Sequence, residues 1–383
     1  CASLAVRTKV LPRRLPRRKP PRECEGPMSK SFNVTIDGQT TVAVEGETVL
    51  TVANRLGIDV PTLCNDSRLE PAGMCRTCLV SVDGQRRLQP ACAWKVTPDM
   101  SVETQTEDVK RHLKVLLSLY AADHPTTEDG LPYQNGRPNQ LRAMSEAHGP
   151  LLALDSVEAP REGRDDPNPY IQYEPDMCIA CGRCTRYCDE VEAVSAITLA
   201  GRGASTTVAT PNSISLLDGT CELCGGCIDT CPTGALWEKK SPLLPGETVE
   251  KVRSTCNFCG VGCQLDLNVK EKRVVAVTSP PAGETVNDGN LCVKGRFAFD
   301  FVHHDDRLTT PLIRGEDGQL HPASWEEAIQ KTADGLNNIR KKHGSDALAF
   351  ISSSRCTGEE NYLMQKLSRA AFGTNNCHQC AAT

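Results

Sequence analysis

Apolar and polar side chains alternate through FNVTIDGQTTVAV (32–44) on both sides of Asp37-Gly38, the pattern of two short strands joined by a tight hairpin turn. The spacing changes to helical in TVLTVANRLG (48–57), which Gly57 closes. Alternation returns in LDLNV (265–269) and RVVAV (273–277), which read as strands. Further on, Ser324 precedes Trp325-Glu326-Glu327 as a helix N-cap. Met364 to Ala371 again has helical spacing, closed by Gly373-Thr374-Asn375-Asn376. Residues 126–170 are rich in Pro, Gly, Asp and Glu and predict a partly ordered loop. No apolar run reaches the length needed to span a bilayer.

A chain of 383 residues suggests roughly two to four domains. Hydrophobic content of 39% is enough for packed cores, and aromatic content of 4% implies no large stacking surface. The net charge of −5 is uneven: residues 1–30 carry nine Lys/Arg against two Asp/Glu, which leaves −12 on the remainder. An acidic body argues against a nucleic-acid partner.

Twenty-one cysteines decide the class, and sixteen of them fall into spaced groups: Cys64/75/78/92, Cys178/181/184/188, Cys221/224/227/231 and Cys256/259/263/292. Disulfides would suit a secreted chain, but no cleavable apolar signal segment is legible. Zinc sites usually pair two CxxC knuckles, whereas CxxCxxC triplets occur twice here, and zinc has little use for three thiolates on one short loop. Iron–sulfur clusters fit best. CIACGRCTRYC (178–188) is CxxCxxCxxxC, and CELCGGCIDTCP (221–232) repeats it and adds the Pro. In two-cluster ferredoxins the fourth ligand comes from the other motif. One [4Fe–4S] cluster is therefore expected on Cys178, Cys181, Cys184 and Cys231, the other on Cys221, Cys224, Cys227 and Cys188. Gly182, Gly225 and Gly226 would let backbone N–H groups approach the cluster sulfurs, and Pro232 turns the chain away.

The first group, CNDSRLEPAGMCRTC with Cys92 further on, has the spacing C-x10-C-x2-C-x13-C. It resembles the [2Fe–2S] domain of the large complex I iron–sulfur subunit, of iron-only hydrogenases and of NAD-linked formate dehydrogenases, which is a small β-grasp fold. That resemblance implies Cys64, Cys75, Cys78 and Cys92 as ligands, with Gly73 where the loop closes over the cluster. In those proteins a helix ending in His-Pro comes next, then three cysteines that complete a site with one His and three Cys. EDVKRHLKVLLSLYAADHP (107–125) supplies the helix and His124-Pro125, but no cysteine appears before Cys178. That site cannot form, so His124 is expected as a helix-end residue. Electrons from the [2Fe–2S] module then either cross a longer span or use a different docking arrangement.

The last group is C-x2-C-x3-C-x28-C followed by Val293 and Lys294. It resembles the N-terminal [4Fe–4S] domain of molybdopterin oxidoreductases, and DRLTTPLIRGEDGQLHPASWEEAI (306–329) resembles the entry into their first α/β domain. The resemblance implies that Lys294 relays electrons between cluster and pterin. It also implies pterin-side contacts at Arg355, Thr357, Glu359, Asn361, Asn375 and Asn376, within SSSRCTGEENY and GTNN. The order of modules resembles the catalytic subunit of soluble cytoplasmic formate dehydrogenases over residues 31–383.

The expected architecture is multidomain α+β. It comprises a basic leader (1–30), a β-grasp [2Fe–2S] domain (31–106), a helix and loop (107–170) and a two-cluster [4Fe–4S] ferredoxin domain (171–242). A β-rich [4Fe–4S] domain (249–305) and the start of an α/β molybdopterin domain (306–383) follow. The implied cofactors are one [2Fe–2S], three [4Fe–4S] and a molybdopterin guanine dinucleotide with Mo or W. The implied substrate is formate/CO2, and the implied partner is a flavin- and NAD-binding or hydrogenase-type subunit, with no membrane span and a cytoplasmic location. In the family a Cys and three residues precede the metal ligand, Cys or selenocysteine. Cys380-Ala381-Ala382-Thr383 would place it at the next position, and Met28 would be the natural start. Cys356, Cys377 and Cys380 are not expected as cluster ligands, and Cys1 and Cys24, ahead of Met28, are expected to lie outside the translated protein. Two other functions stay open: an electron-transfer adaptor, and a molybdopterin oxidoreductase acting on nitrate or another oxyanion.

Overall fold

The computed structural model describes residues 30–134, 137–149, 151–154, 161, 165–240 and 249–380. The leader apart from Lys30, Cys1, Cys24 and the 381–383 end lie outside them.

Ser31–Ile36 (β1) and Gln39–Val44 (β2) form the hairpin, with Asp37 at φ 47° and Gly38 at φ 77° in the left-handed region this turn requires. Val49–Arg55 (α1) starts at Thr48, whose side chain accepts from the Thr51 N–H. Leu79–Val82 (β3), Gln89–Pro90 (β4) and Met100–Glu103 (β5) complete a mixed sheet ordered β2-β1-β5-β3-β4, in which β1 and β5 are parallel. Alternation puts Val34, Ile36, Ala43, Val80, Val82 and Val102 in one core with Val49, Val52 and Ala53 of α1.

Glu107–Ala122 (α2) follows, and its Leu113 and Leu117 pack on Leu63, Cys64 and Cys75. The stretch expected as a loop contains a second helix, Gln140–Ala147 (α3). Asn139 caps it by accepting from the Arg142 N–H, and Leu141 and Met144, one turn apart, bury against α2. Its Pro/Gly-rich flanks hid a helix only two turns long.

The next module repeats one turn twice. Ile171–Tyr173 (β6) leads to Gly182 at φ 70° and the short helix Arg183–Arg186 (α4). A hairpin of Thr198–Ala200 (β7) and Thr207–Ala209 (β8) leads to Gly225 at φ 76° and Gly226–Asp229 (α5). Leu236–Glu238 (β9) then returns antiparallel to β6. A Cβ on Gly226 would drive into the Tyr187 ring. Gly226→Ala is therefore expected to displace Tyr187 and cost about 1–3 kcal/mol as overpacking does, read as a lowered midpoint of thermal unfolding.

Glu250–Thr255 (β10), Gln264–Lys270 (β11) and Arg273–Thr278 (β12) make an antiparallel sheet, followed by Val293–Phe297 (α6). Leu312–Arg314 (β13) and Leu320–Pro322 (β14) form a hairpin ahead of Trp325–His343 (α7), which Ser324 and Glu327 start with a reciprocal capping box. Phe350–Ser353 (β15), Gly358–Lys366 (α8) and Cys377–Cys380 (β16) then build a strand–helix–strand unit with β15 and β16 parallel. No residue of α7 or α8 is buried, and Trp325 and Ile329 stand exposed. Among the described residues no helix is long and apolar enough to cross a membrane.

Candidate metal centres

The connection between α1 and β3 carries Cys64, Cys75 and Cys78, the turn after β4 carries Cys92, and all four are buried. Gly73, at φ 58°, turns its backbone N–H toward Cys92. Hydrogen bonds from Cys64 and then Thr77 draw Cys75 down to about 5 against the effect of burial. Cys78 in the same way draws Cys92 down to about 7. In each pair one thiol is lowered and its hydrogen-bonded partner raised, and the thiolate is the metal-binding form.

The second and third sets line two cavities. Cys188, Cys221, Cys224 and Cys227 surround a space of about 450 Å3, and Cys178, Cys181, Cys184 and Cys231 line a smaller one of about 20 Å3. Each motif gives three cysteines to one cavity and its last cysteine to the other. The cysteines ring a space rather than a point: among the described residues no three His, Cys, Asp or Glu side chains stand close enough to share one ion. Backbone donors surround the sulfurs. Ala180 N–H lies 3.3 Å from Cys178 Sγ, Leu223 N–H 3.4 Å from Cys221 Sγ, Gly226 N–H 3.5 Å from Cys224 Sγ and Ala196 N–H 3.2 Å from Cys188 Sγ. Ala180 and Leu223 occupy the same place in their loops and both have positive φ, 51° and 54°, a strained conformation that aims the N–H inward. Burial pushes the Cys184 and Cys227 thiols well up, and the neighbouring cysteines add to it. Holding all eight as thiolates needs positive charge inside each cavity, which a cluster's iron supplies. The donor set therefore fits iron–sulfur clusters.

In the fourth set Cys256 N–H donates to Cys263 O at 2.8 Å. Burial raises both Cys256 and Cys263, and Cys292 and Cys259 face them and add to the effect. Cys292 is exposed, so this site is the most open.

The sites touch in order. Ile179 and Cys181 pack against the side-chain cluster that contains Cys64 and Cys75, and the Tyr120 hydroxyl donates to Cys75 O at 3.3 Å beside it. Met74 Sδ stands 3.0 Å from where a Cβ on Gly182 would lie. Arg186 donates to Glu70 O at 2.6 Å and to Cys64 O. The module with Cys64 thus docks straight onto the first ferredoxin loop. Cys227 lies near enough to Cys184 to raise its thiol. At the next junction Arg296 Nε donates to Cys224 O at 2.9 Å, its Nη1 bonds Asp229 at 2.8 Å, and Phe297 stacks on Tyr170 with ring centroids 4.5 Å apart. Finally, a Cβ on Gly260, between Cys259 and Cys263, would lie 3.5 Å from Ser354 O, so the turn carrying Arg355 and Thr357 borders the fourth set.

The remaining predicted residues divide. Lys294 sits in the first turn of α6. Thr357 caps α8, Asn361 Nδ2 bonds Thr357 O at 2.9 Å, Asn375 accepts from Arg369 Nε at 3.1 Å, and Asn376 Nδ2 bonds Asp346 O and Leu348 O at 3.1 Å. Thr357, Asn361 and Asn376 thus bond the local backbone, and Asn375 bonds a side chain. Glu359 lies in the first turn of α8, and Asn361 Oδ1 is buried with no partner. His124 is buried at the end of α2, its Nδ1 2.8 Å from Pro125 O, and burial lowers its pKa.

Glu238 on β9 is a group the sequence did not flag. Burial raises its carboxyl to about 7, against the pull of Arg296, and its Oε1 has no partner. Between about 4.5 and about 7 the folded chain holds a proton that the unfolded chain has released. Its contribution therefore makes stability fall as pH rises through that window. Glu238→Gln should flatten this fall in unfolding midpoints measured across pH.

Comparison with known proteins follows the same order. Residues 29–107 match the model of a 2Fe-2S iron-sulfur cluster binding domain. Residues 168–237 match the ferredoxin-like domain of NADH-quinone oxidoreductase subunit 3. Residues 249–304 match the molybdopterin oxidoreductase Fe4S4 domain and 307–383 the molybdopterin oxidoreductase model. A Bacillus subtilis oxidoreductase, YjgC, is 31% identical over 92% of this chain and 39% of its own length. A Staphylococcus haemolyticus protein provisionally named a formate dehydrogenase is also 31% identical over 92% of this chain and 39% of its length. The alpha subunit of the NADPH-Fe(3+) oxidoreductase of Geobacter sulfurreducens is 34% identical over 90% of this chain and 40% of its length. The chain thus spans about two-fifths of the length of the curated relatives it matches. Behind two iron–sulfur domain matches, the chain thus carries two successive segments similar to the domains of molybdopterin oxidoreductases.

Proposed function

We propose that this chain is the electron-conducting part of a formate dehydrogenase catalytic subunit, with one [2Fe–2S] and three [4Fe–4S] centres in contact order. The observation that carries the reading is the continuous series of junctions from Cys75 through Cys181, Cys227 and Cys224 to the Cys256 set. The β2-β1-β5-β3-β4 sheet with α1 across it is the β-grasp scaffold of the [2Fe–2S] site. When bound, such clusters accept and pass single electrons, and a molybdopterin-held Mo or W exchanges electron pairs with substrate. The chain's own residues do the rest. Sixteen cysteine thiolates hold the iron. Backbone N–H groups at Ala180, Ala196, Leu223 and Gly226 bond to sulfur and tune potential. Lys294 bridges toward the pterin side, where Arg355, Thr357, Glu359, Asn361, Asn375 and Asn376 are the proposed contacts. The [2Fe–2S] module exchanges electrons with a flavin- and NAD-binding or hydrogenase-type subunit in the cytoplasm.

Formate is favoured by the relative carrying that name and by the EENY and TNN stretches. A second reading is favoured by the Geobacter relative: electron transfer between NADPH and a ferric acceptor. The test is anaerobic addition of formate to the whole protein, loaded with Mo or W, while cluster absorbance is followed. Bleaching by formate supports the first reading. Bleaching only by NADPH through a partner subunit, with none by formate, replaces it with the second.

A further inference from the structure

The loop behind Cys64 holds a carboxylate that ligates nothing in the proposed chemistry. Asp66 is 9% exposed, and both its oxygens are engaged. Oδ1 accepts from the Arg68 N–H at 3.0 Å and from Arg68 Nε at 2.9 Å. Oδ2 accepts from Arg68 Nη2 and Thr230 Oγ1, both at 2.8 Å, and from Arg183 Nη2 at 3.5 Å. Thr230 is fully buried, and Arg183 Nε also reaches it at 3.2 Å. Arg68 continues outward: Nη1 donates to Gly289 O at 3.2 Å, and its guanidinium lies 4.8 Å from the Tyr187 ring centre. The places of these partners in the sequence give the node its meaning. Arg183, Tyr187 and Thr230 each immediately precede a cysteine, Cys184, Cys188 and Cys231. One carboxylate two residues after Cys64 therefore ties the side chains next to two cysteines of the nearer cavity. Through Arg68 it also steadies one cysteine of the farther cavity and the loop that leads to Cys292.

We propose that Asp66 is a positioning residue for electron transfer between the Cys64 centre and the Cys178 centre, holding the two at a fixed separation. The proposal rests on the iron–sulfur reading above. Apolar contacts such as Met74 on Gly182 tolerate sliding, whereas charge-assisted hydrogen bonds have fixed directions and lengths. A buried carboxylate between two guanidinium groups is costly unless every oxygen is satisfied, and here each is. The node spends that cost on register rather than on stability.

Asp66→Asn in the whole reconstituted chain tests this, because it keeps the shape and removes the charge. Iron and sulfide content and the separate spectrum of each centre are read first. The expected result is unchanged content, an electron-transfer rate from the [2Fe–2S] centre to its neighbour lowered on the order of tenfold, and weaker relaxation of the [2Fe–2S] signal by that neighbour. Thr230→Val, which removes only a neutral donor, should show the same signature more weakly. Full loading of Asp66→Asn with unchanged rate and relaxation overturns the proposal. If Asp66→Asn fails to load, unchanged transfer in Thr230→Val overturns it. A wild-type chain with no iron–sulfur signals would instead sink the iron–sulfur reading itself.

Discussion

Replacing Cys231 by alanine should abolish the cubane that neighbours the [2Fe–2S] centre, and leave the one built by the three cysteines closest to it in sequence. Cys231 belongs to the motif 221–231, but it lines the cavity of Cys178, Cys181 and Cys184. Cys188→Ala should do the reverse, since Cys188 lines the cavity of Cys221, Cys224 and Cys227. The two variants therefore lose the same amount of iron from different places. In Cys231→Ala the [2Fe–2S] spectrum should lose the broadening caused by a close paramagnetic neighbour. In Cys188→Ala that broadening should persist, and the Cys256 centre should lose its neighbour instead, because Arg296 ties that side to Cys224. If each variant lost the cluster of its own motif, the exchange of fourth ligands would be wrong.

Asp229→Ala is expected to destabilise the junction of the ferredoxin and Fe4S4 modules by about 3–5 kcal/mol. Arg296 has a side-chain exposure of only 3%, and its pair with Asp229 is supported by Ser279 Oγ at 3.0 Å and Cys224 O at 2.9 Å. Burial alone would weaken its charge, but Asp229 outweighs that and keeps it ionised. Without Asp229 the guanidinium stays in the core unpaired, which costs more than losing the pair. Changing both residues to apolar ones of similar volume, Arg296→Met with Asp229→Leu, should recover much of the loss. Denaturant midpoints of the single and double variants measure this. Equal destabilisation by the single and the double variant would mean that the charge is not what matters there.

How much of this was legible in the sequence depends on range. Local patterns carried well: the Asp37-Gly38 hairpin, the Gly57 helix end and the Ser324 cap each rest on a few adjacent residues whose backbone preferences decide the outcome. The eight thiols of the two repeated motifs were assigned on the pattern of two-cluster ferredoxins, and the cavity linings group them in the same way. Helix α3 was missed because its two turns carry only Leu141 and Met144 as apolar anchors, within polar and Pro-containing surroundings. The inter-module contacts could not be read at all. Asp66, Arg183, Thr230 and Gly289 are separated by over a hundred residues in places, and nothing about an isolated Asp in CNDSR marks it as buried. Arg296 in VKGRF likewise looks like a surface charge until its partner Asp229, 67 residues away, is placed beside it. The positive φ at Ala180 and Leu223 was also invisible, since neither residue type favours it and only the closed loop imposes it.

The claim on which everything depends is a continuous series of four iron–sulfur centres in contact order. Electron paramagnetic resonance of the anaerobically reconstituted, fully reduced chain, with Mössbauer counting of cluster types, tests it most directly. One [2Fe–2S] and three [4Fe–4S] centres are expected, with the [2Fe–2S] signal relaxing fast because a cubane lies against it. A [2Fe–2S] signal that saturates like an isolated centre, or fewer than three cubanes in a fully loaded chain, would contradict it.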